Sequence, residues 1–495
     1  MPNQLHLRSG DRIIVGTSIV VLDDEFVSSI EDGDKVLAIA DTGAIKRIPK
    51  RVTEIVERAV ADASAAFAQL ASVDTRRISD FYDAAATFLA DDAIFNEISL
   101  VNSADVEDAR RRGRSTTRLH LSQQMREDMM SAFRMWRDSP TSPSSLIDVV
   151  HHEGWSVEQW RAPLGVIAFV FEGRPNVFAD ATGVLKSGNT VVFRIGSDAL
   201  ETARAIMRLV IVPALEKSGL PTDSVVLLDS REHAAGWQLF SDSRIALAVA
   251  RGSGQAVAEL GAIARQSGIS ASLHGTGGAW MFVGNSADES RLFDVVQHSL
   301  DRKVCNTLNT ICIARKNAET HVPIVYRAAV AAAERRHTEP RIHAVNGSEK
   351  YLPQGTIIMV HRAEGVVKEE QVTRADVSDL SNEFEWEENP EFFIVLVDEV
   401  GEFIQLFNSF SPQFVVSAVS ELDDDVKSIW EGCNAPFVGN GFTRWVDGQF
   451  ALLRPELGLS NWEGGRLFAR GGVLSGDSAF TIRLKVDQSN SQLHR

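Results

Sequence analysis

Residues 161–200 read RAPLGVIAFVFEGRPNVFADATGVLKSGNTVVFRIGSDAL, and their rhythm decides the fold class. GVIAFVF (165–171) is a continuous apolar run of strand length, and NTVVFRI (189–195) is a second. Between them, NVFADATGVLK (176–186) spaces its apolar residues as a helix does.

The alternation continues outward. DALETARAIMRLVIVPALEKSG (198–219) reads as a long helix, SVVLL (224–228) and RIALAVA (244–250) as strands, and GQAVAELGAIARQSG (254–268) as a helix. Strands that are apolar on both faces, interleaved with amphipathic helices, predict an α/β fold with a parallel sheet covered on both sides. Ligands on such sheets bind beyond the carboxyl ends of the strands. Those ends are Glu172–Asn176, Arg194–Ser197 and Arg251–Gly254.

Before this region, 52–138 is helical in pattern, and SPTSPSS (139–145) interrupts it with two prolines. SLIDVVHHEGWSVEQWRAPLG (145–165) predicts a hairpin around Glu153–Gly154, of the kind that serves as an oligomer arm. RIIVGTSIVVLDD and DKVLAIADTGAIKRI mark residues 1–50 as a small β-rich appendage closed by Pro49. After it, GTGGAW (275–280) opens a second α/β segment. This holds a helix near 288–300, a strand at 310–314, a helix near 322–336 and the strand FFIVLV, with FTIRLKV as the last strand.

The chain has 495 residues and a net charge of −17, so two or three domains are expected, and general nucleic-acid binding is disfavoured. Three cysteines are too few for a disulfide framework and point to a reducing cytoplasm. No basic and apolar leader opens the sequence, and no run approaches the roughly 18–20 apolar residues of a membrane span. No zinc pattern is present.

Cys305 lies in DRKVCNTLNTICI (301–313), between Lys303 and the polar pair Asn306–Thr307. That setting is a poor apolar pocket, and a nearby cation favours the thiolate. Cys312, between isoleucines, reads as core; Cys433 has no assigned role. Arg174 could attract an anion and Asn176 donate to an oxyanion. RGSG (251–254) leads into a helix whose free N–H groups suit a phosphate.

Taken together, residues 161–200, KVCNTLNTICI (303–313), NGFTRWVDG (440–448), ELGLS (456–460), FARGG (468–472) and NSADVEDARRRG (102–113) resemble the γ-glutamyl phosphate reductase (glutamate-5-semialdehyde dehydrogenase) family of the aldehyde dehydrogenase superfamily. The resemblance covers roughly 53–486. It implies a Rossmann-type cofactor domain (51–146 and 163–280), an oligomerisation arm (147–162 and 479–488) and a catalytic domain (281–478), with 1–50 outside. It also implies NADPH-dependent reduction of an acyl phosphate through a thioester on Cys305, with Asn176 holding the oxyanion. Arg194 and Ser197 would meet the adenosine ribose. Ser197 stands where NAD-preferring relatives often carry a glutamate, which favours NADP(H). Gly252, Ser253 and Gly254 would lie near the cofactor phosphates, and Glu391 would bond the nicotinamide ribose. Arg174, Asn306, Arg444 and Arg470 would contact the substrate.

Hydrolytic relatives carry a glutamate base just before a Gly-Gly turn, whereas this chain has HGTGG (274–278). Three segments depart from the family: Leu308-Asn309-Thr310, FSPQF (410–414) and Phe468-Ala-Arg-Gly-Gly472. The acyl group is therefore open, with γ-glutamyl phosphate leading. A thioester such as an acyl-CoA as substrate, and an inactive relative that serves as a binding protein, are the alternatives. A homodimer or homotetramer, and an upstream kinase that supplies the acyl phosphate, complete the expected partners; no nucleic acid, membrane or metal is expected.

Overall fold

The computed structural model describes residues 7–114, 116, 118–275, 277–362, 365–446, 455, 459–460, 462–463, 466–467, 473–474 and 476–492. The chain divides into two compact units: 1–275 with 452–459 and 474–495, and 276–451 with 460–473. Their border falls five residues before the expected 280/281.

The first unit is built on a parallel sheet. Its strands are β7 (Val166–Val170), β8 (Thr190–Arg194), β9 (Val225–Leu227), β10 (Ile245–Arg251) and β11 (Ala271–His274), in the order β11-β10-β7-β8-β9. β7 and β8 are buried at every position, which is why their sequences do not alternate. Ile167, Phe169 and Phe193 face one core, with Trp136 and Phe178. Val166, Ala168 and Val192 face another, built on the helices Lys50–Leu70 and Gly254–Gln266.

Two helices differ from expectation for local reasons. Residues 175–187 form a 3₁₀ turn, a short α-helix (Phe178–Thr182) and another 3₁₀ turn. Gly183 presses on Trp136, where a Cβ would lie 2.6 Å from the indole, and Gly188 closes the segment at φ +81°. The helix from Leu200 to Ser218 widens into a π turn at Met207–Ile211, just before Pro213, which has no N–H for the α ladder.

The hairpin around Glu153–Gly154 is present: β5 (Leu146–His152) and β6 (Trp155–Pro163) pair antiparallel, and the final strand Phe480–Gln488 pairs with β6. The appendage comprises β1 (Arg12–Val15) with β2 (Ser18–Val21) and β3 (Lys35–Ile39) with β4 (Ala44–Ile48). Neither is a compact body of its own. Ile39 and Ile48 are buried in the core of the helix Gly254–Gln266, the Gln266 amide bonds Ala38 and Ala40, and Lys46 pairs with Glu259.

The second unit holds a parallel seven-stranded sheet. It comprises β12 (Ala279–Val283), β13 (Leu308–Ala314), β14 (Arg341–Val345), β17 (Val372–Arg374), β18 (Glu391–Val397), β19 (Val415–Val419) and β20 (Phe437–Gly439), ordered β17-β14-β18-β13-β12-β19-β20. An unforeseen hairpin, β15 (Ile357–Arg362) and β16 (Gly365–Glu370), precedes β17. Among the described residues no helix is long and apolar enough to cross a membrane.

Candidate active site

Cys305 sits half-buried in the turn that enters β13. The turn is held from within: Thr307 Oγ1 accepts from Val304 N–H at 2.9 Å and donates to the Arg302 carbonyl at 2.6 Å. One flank is latched by Thr443, whose hydroxyl donates to the Asn306 carbonyl at 2.7 Å and whose N–H donates to Ser299 Oγ at 2.9 Å. Arg444 Nε donates to Asp301 at 2.9 Å, and Arg444 Nη1 bonds Asn306 Oδ1.

The other flank is closed by the Gly-Gly turn. Gly278 N–H donates to the Cys305 carbonyl at 2.7 Å, and a Cβ on Gly277 would stand 2.7 Å from Cys305 Cα. Only glycine permits that approach. Glu383 joins the two segments, since Oε2 accepts from Gly277 N–H at 2.7 Å and Oε1 from Lys303 Nζ. The cation expected to act on Cys305 is thus already paired with a carboxylate.

The other thiols are inert. Cys312 is fully buried in β13, which pushes its thiol well up, and burial raises Cys433 to about 12.

At the strand ends of the first unit, the loops after β7 and β8 touch: a Cβ on Gly196 would lie 2.5 Å from Gly173 N. Arg174 pairs with Glu172 at 3.2 Å and Arg251 with Asp180 at 3.1 Å. Burial, then the Arg251 charge, pulls Arg174 down to about 10. The same burial and the two guanidiniums hold His274 at about 3, so it stays neutral across the physiological range. The Nε atoms of Arg174 and Arg251 and Oδ1 of Asn176 are buried without a hydrogen-bond partner, which leaves polar capacity at these strand ends. Ser253 precedes the helix Gly254–Gln266 and makes no side-chain cap, and Gly252 and Gly254 flank it. That N-terminus suits a phosphate.

Several expectations need correction. Glu391 is 2 % exposed, and its carboxylate is enclosed by Arg341, His343 and Arg362. Burial opposes its ionisation, but His343, Arg362 and Arg341 hold it at about 2. Both of its oxygens are thus engaged within the second unit. The glutamate beside the Cys305 turn is Glu383, eight residues earlier in EFEWEENPE. Arg194 is buried, and its Nε and Nη2 donate to the carbonyls of Glu232 and Arg231, so it holds that loop. Asn306 and Arg444 are brought together, but each holds the other. Ser197 begins the 3₁₀ turn after β8, beside Asp198, to which Arg112 and Arg114 both pair. Arg470, with FARGG and the first three residues of ELGLS (456–458), lies outside the described residues.

The sequence reading missed Glu383, Thr443 and Asn309. EFEWEENPE carries five carboxylates, and nothing local singles out one of them.

A model of the aldehyde dehydrogenase family matches residues 27–342, more than half of the chain. The γ-glutamyl phosphate reductase of Bacillus anthracis is 26% identical over 407 residues, 80% of this chain and 89% of that one. That of Bacillus cereus (strain AH820) is 26% identical over 408 residues, with the same shares. Among solved structures, the γ-glutamyl phosphate reductase of Thermotoga maritima aligns with a TM-score of 0.74 at 22% identity, over 89% of this chain and 100% of that one. Lactaldehyde dehydrogenase from Escherichia coli aligns with a TM-score of 0.65 at 15% identity, over 93% and 97%. Family membership implies an oxidoreductase that uses a nicotinamide cofactor and acts on aldehydes. The chain belongs to the aldehyde dehydrogenase family.

Proposed function

We propose that this enzyme reduces an acyl phosphate to an aldehyde with NADPH, and that the substrate is L-glutamyl 5-phosphate, giving L-glutamate 5-semialdehyde and phosphate. One observation carries the reading. The cysteine turn is held on both flanks, and HGTGG (274–278) carries no glutamate before its Gly-Gly turn to activate water. The carboxylate that does approach the turn, Glu383, has one oxygen on Lys303 and the other on Gly277 N–H, so it is a poor base for water. An acyl group handed to or from phosphate needs no activated water. The similarity to γ-glutamyl phosphate reductases over most of both chains supports the substrate.

The Cys305 thiolate attacks the acyl carbonyl and the C–O bond to phosphate breaks, leaving a thioester and free phosphate. NADPH, when bound, supplies the hydride that reduces the thioester carbonyl. The Asn176 amide and the Cys305 N–H stabilise the oxyanion, and collapse of the thiohemiacetal returns the thiolate and frees the aldehyde. The Ser253–Gly254 helix start would hold the cofactor's pyrophosphate. Ser197, with Arg112 and Arg114 beside Asp198, supports a 2′-phosphate and so NADP(H). The apolar residues exposed on the arm, Leu146, Ile147, Val150, Leu484 and Val486, support a homo-oligomer built through that sheet.

The reverse reaction tests the proposal. With glutamate-5-semialdehyde, phosphate and NADP⁺, NADPH absorbance should rise only when phosphate is present and should vanish in Cys305→Ala. Equal rates without phosphate would refute the acyl-phosphate chemistry.

A further inference from the structure

We propose that Asn309 is a positioning residue for the nucleophile turn, acting through Glu383. Asn309 is the second residue of β13, four after Cys305, and is 4 % exposed. Its carboxamide faces residues 382–384, which belong to no helix or strand. Nδ2 donates to the Asn382 carbonyl at 2.9 Å, and Oδ1 accepts from Phe384 N–H at 3.1 Å. A side chain therefore serves as strand partner on both sides of Glu383. The fit is also steric, because a Cβ on Gly278 would stand 2.9 Å from Asn309 Cβ. The Phe384 ring also stacks on His343 at 4.3 Å, a second contact on the same segment.

Glu383, fixed in this way, reaches Gly277 N–H, beside Cys305, and Lys303, two residues before it. The chain of contacts is thus Asn309, backbone 382–384, Glu383, then Gly277 and Lys303. A carboxylate at 309 would keep the bond from Phe384 N–H but would meet the Asn382 carbonyl without a proton to donate. The charged groups about the turn are Lys303 and Glu383 on one flank and Asp301 and Arg444 on the other. Releasing Glu383 unbalances the first pair in favour of the cation and loosens the wall over the thiol, so Cys305 should react faster with an external electrophile.

The inference rests on Cys305 as the nucleophile, and its test needs no substrate. The second-order rate of Cys305 alkylation by iodoacetamide is measured on the full chain, with peptide mapping, for wild type, Asn309→Ala, Asn309→Asp, Glu383→Gln and the Asn309→Ala/Glu383→Gln double variant. Glu383→Gln and Asn309→Ala should each raise the rate by about threefold or more, and the double variant should match Glu383→Gln alone because both changes act through one link. Asn309→Asp, which loses only the donor, should fall between wild type and Asn309→Ala. A merely structural Asn309 would lower the melting temperature and leave the alkylation rate where it was. Wild-type rates in Asn309→Ala, or effects that multiply in the double variant, would overturn the inference. Failure of the functional reading would show separately, as reductase turnover that survives Cys305→Ala.

Discussion

The buried ion cluster at the start of β18 gives a stability prediction with a magnitude. Glu391 stands between Arg341 and Arg362, with His343 Nε2 at 2.8 Å from Oε1. Glu369 completes the group, 2.7 Å from Arg341 and 2.8 Å from Arg362. The cluster ties β15 and β16 to β14 and β18, which are not joined to them by a backbone ladder. Replacing Glu391 by Gln leaves two partly buried guanidiniums sharing one carboxylate. The fall of Glu391 from its ordinary 4.5 to about 2 corresponds to about 3 kcal/mol at neutral pH. That agrees with the roughly 3–5 kcal/mol lost when one partner of a buried pair is removed.

The sign follows from the direction of the shift. A carboxyl held low in the folded state binds fewer protons there than in the unfolded chain. Its contribution is complete above about 4.5 and is lost as pH falls toward 2. Urea unfolding followed by tryptophan fluorescence, at pH 7 and pH 3.5, measures both parts. Glu391→Gln should be less stable by about 3 kcal/mol at pH 7, and the gap should narrow at pH 3.5. A gap below about 0.5 kcal/mol at pH 7, the size of an ordinary surface change, or one that widens with acid, would refute the reasoning.

Three further outcomes are expected. In the native enzyme a thiol reagent such as DTNB should titrate Cys305 alone, with Cys312 and Cys433 released only on denaturation; three fast thiols would contradict their burial. Gly196→Ala drives a methyl to 2.5 Å from Gly173 N and should cost about 1–3 kcal/mol while weakening nicotinamide-cofactor binding measured by calorimetry. His274, held at about 3, is a proton short of the unfolded chain below its ordinary 6.5, so it makes stability fall as pH drops from 6.5 toward 3. His274→Asn should flatten that part of the stability–pH curve, and an unchanged slope would count against the shift.

The sheet of the first unit was legible because buried parallel strands leave continuous apolar runs, as in β7 and β8, and glycines mark the turns between them. The Cys305 turn stood out in sequence because a thiol lies there among polar residues, although its side chain also packs against the second unit's core. The partners of that turn were not. Glu383 lies 78 residues on, in an acidic stretch where each carboxylate looks alike, and its role arises from one backbone N–H and one lysine. Arg194's bonds to the next loop were not legible, because an arginine at a strand end can bind a ligand or tie down that loop, and sequence does not separate the two. The β15–β16 hairpin carries exposed Ile357, Met359 and Val366 and buried Ile358 and Val360, so its pattern lacks the clean alternation that announces a strand.

The central claim is that Cys305 carries the acyl group and passes it to phosphate. Intact-mass analysis tests it most directly. The enzyme is mixed with glutamate-5-semialdehyde and NADP⁺ without phosphate, quenched in acid and weighed. The account predicts one acyl adduct, mapped to the Cys305 peptide, which disappears when phosphate is added before the quench. Steady NADPH formation without phosphate and with no adduct would show that water is the acceptor, and would contradict the account.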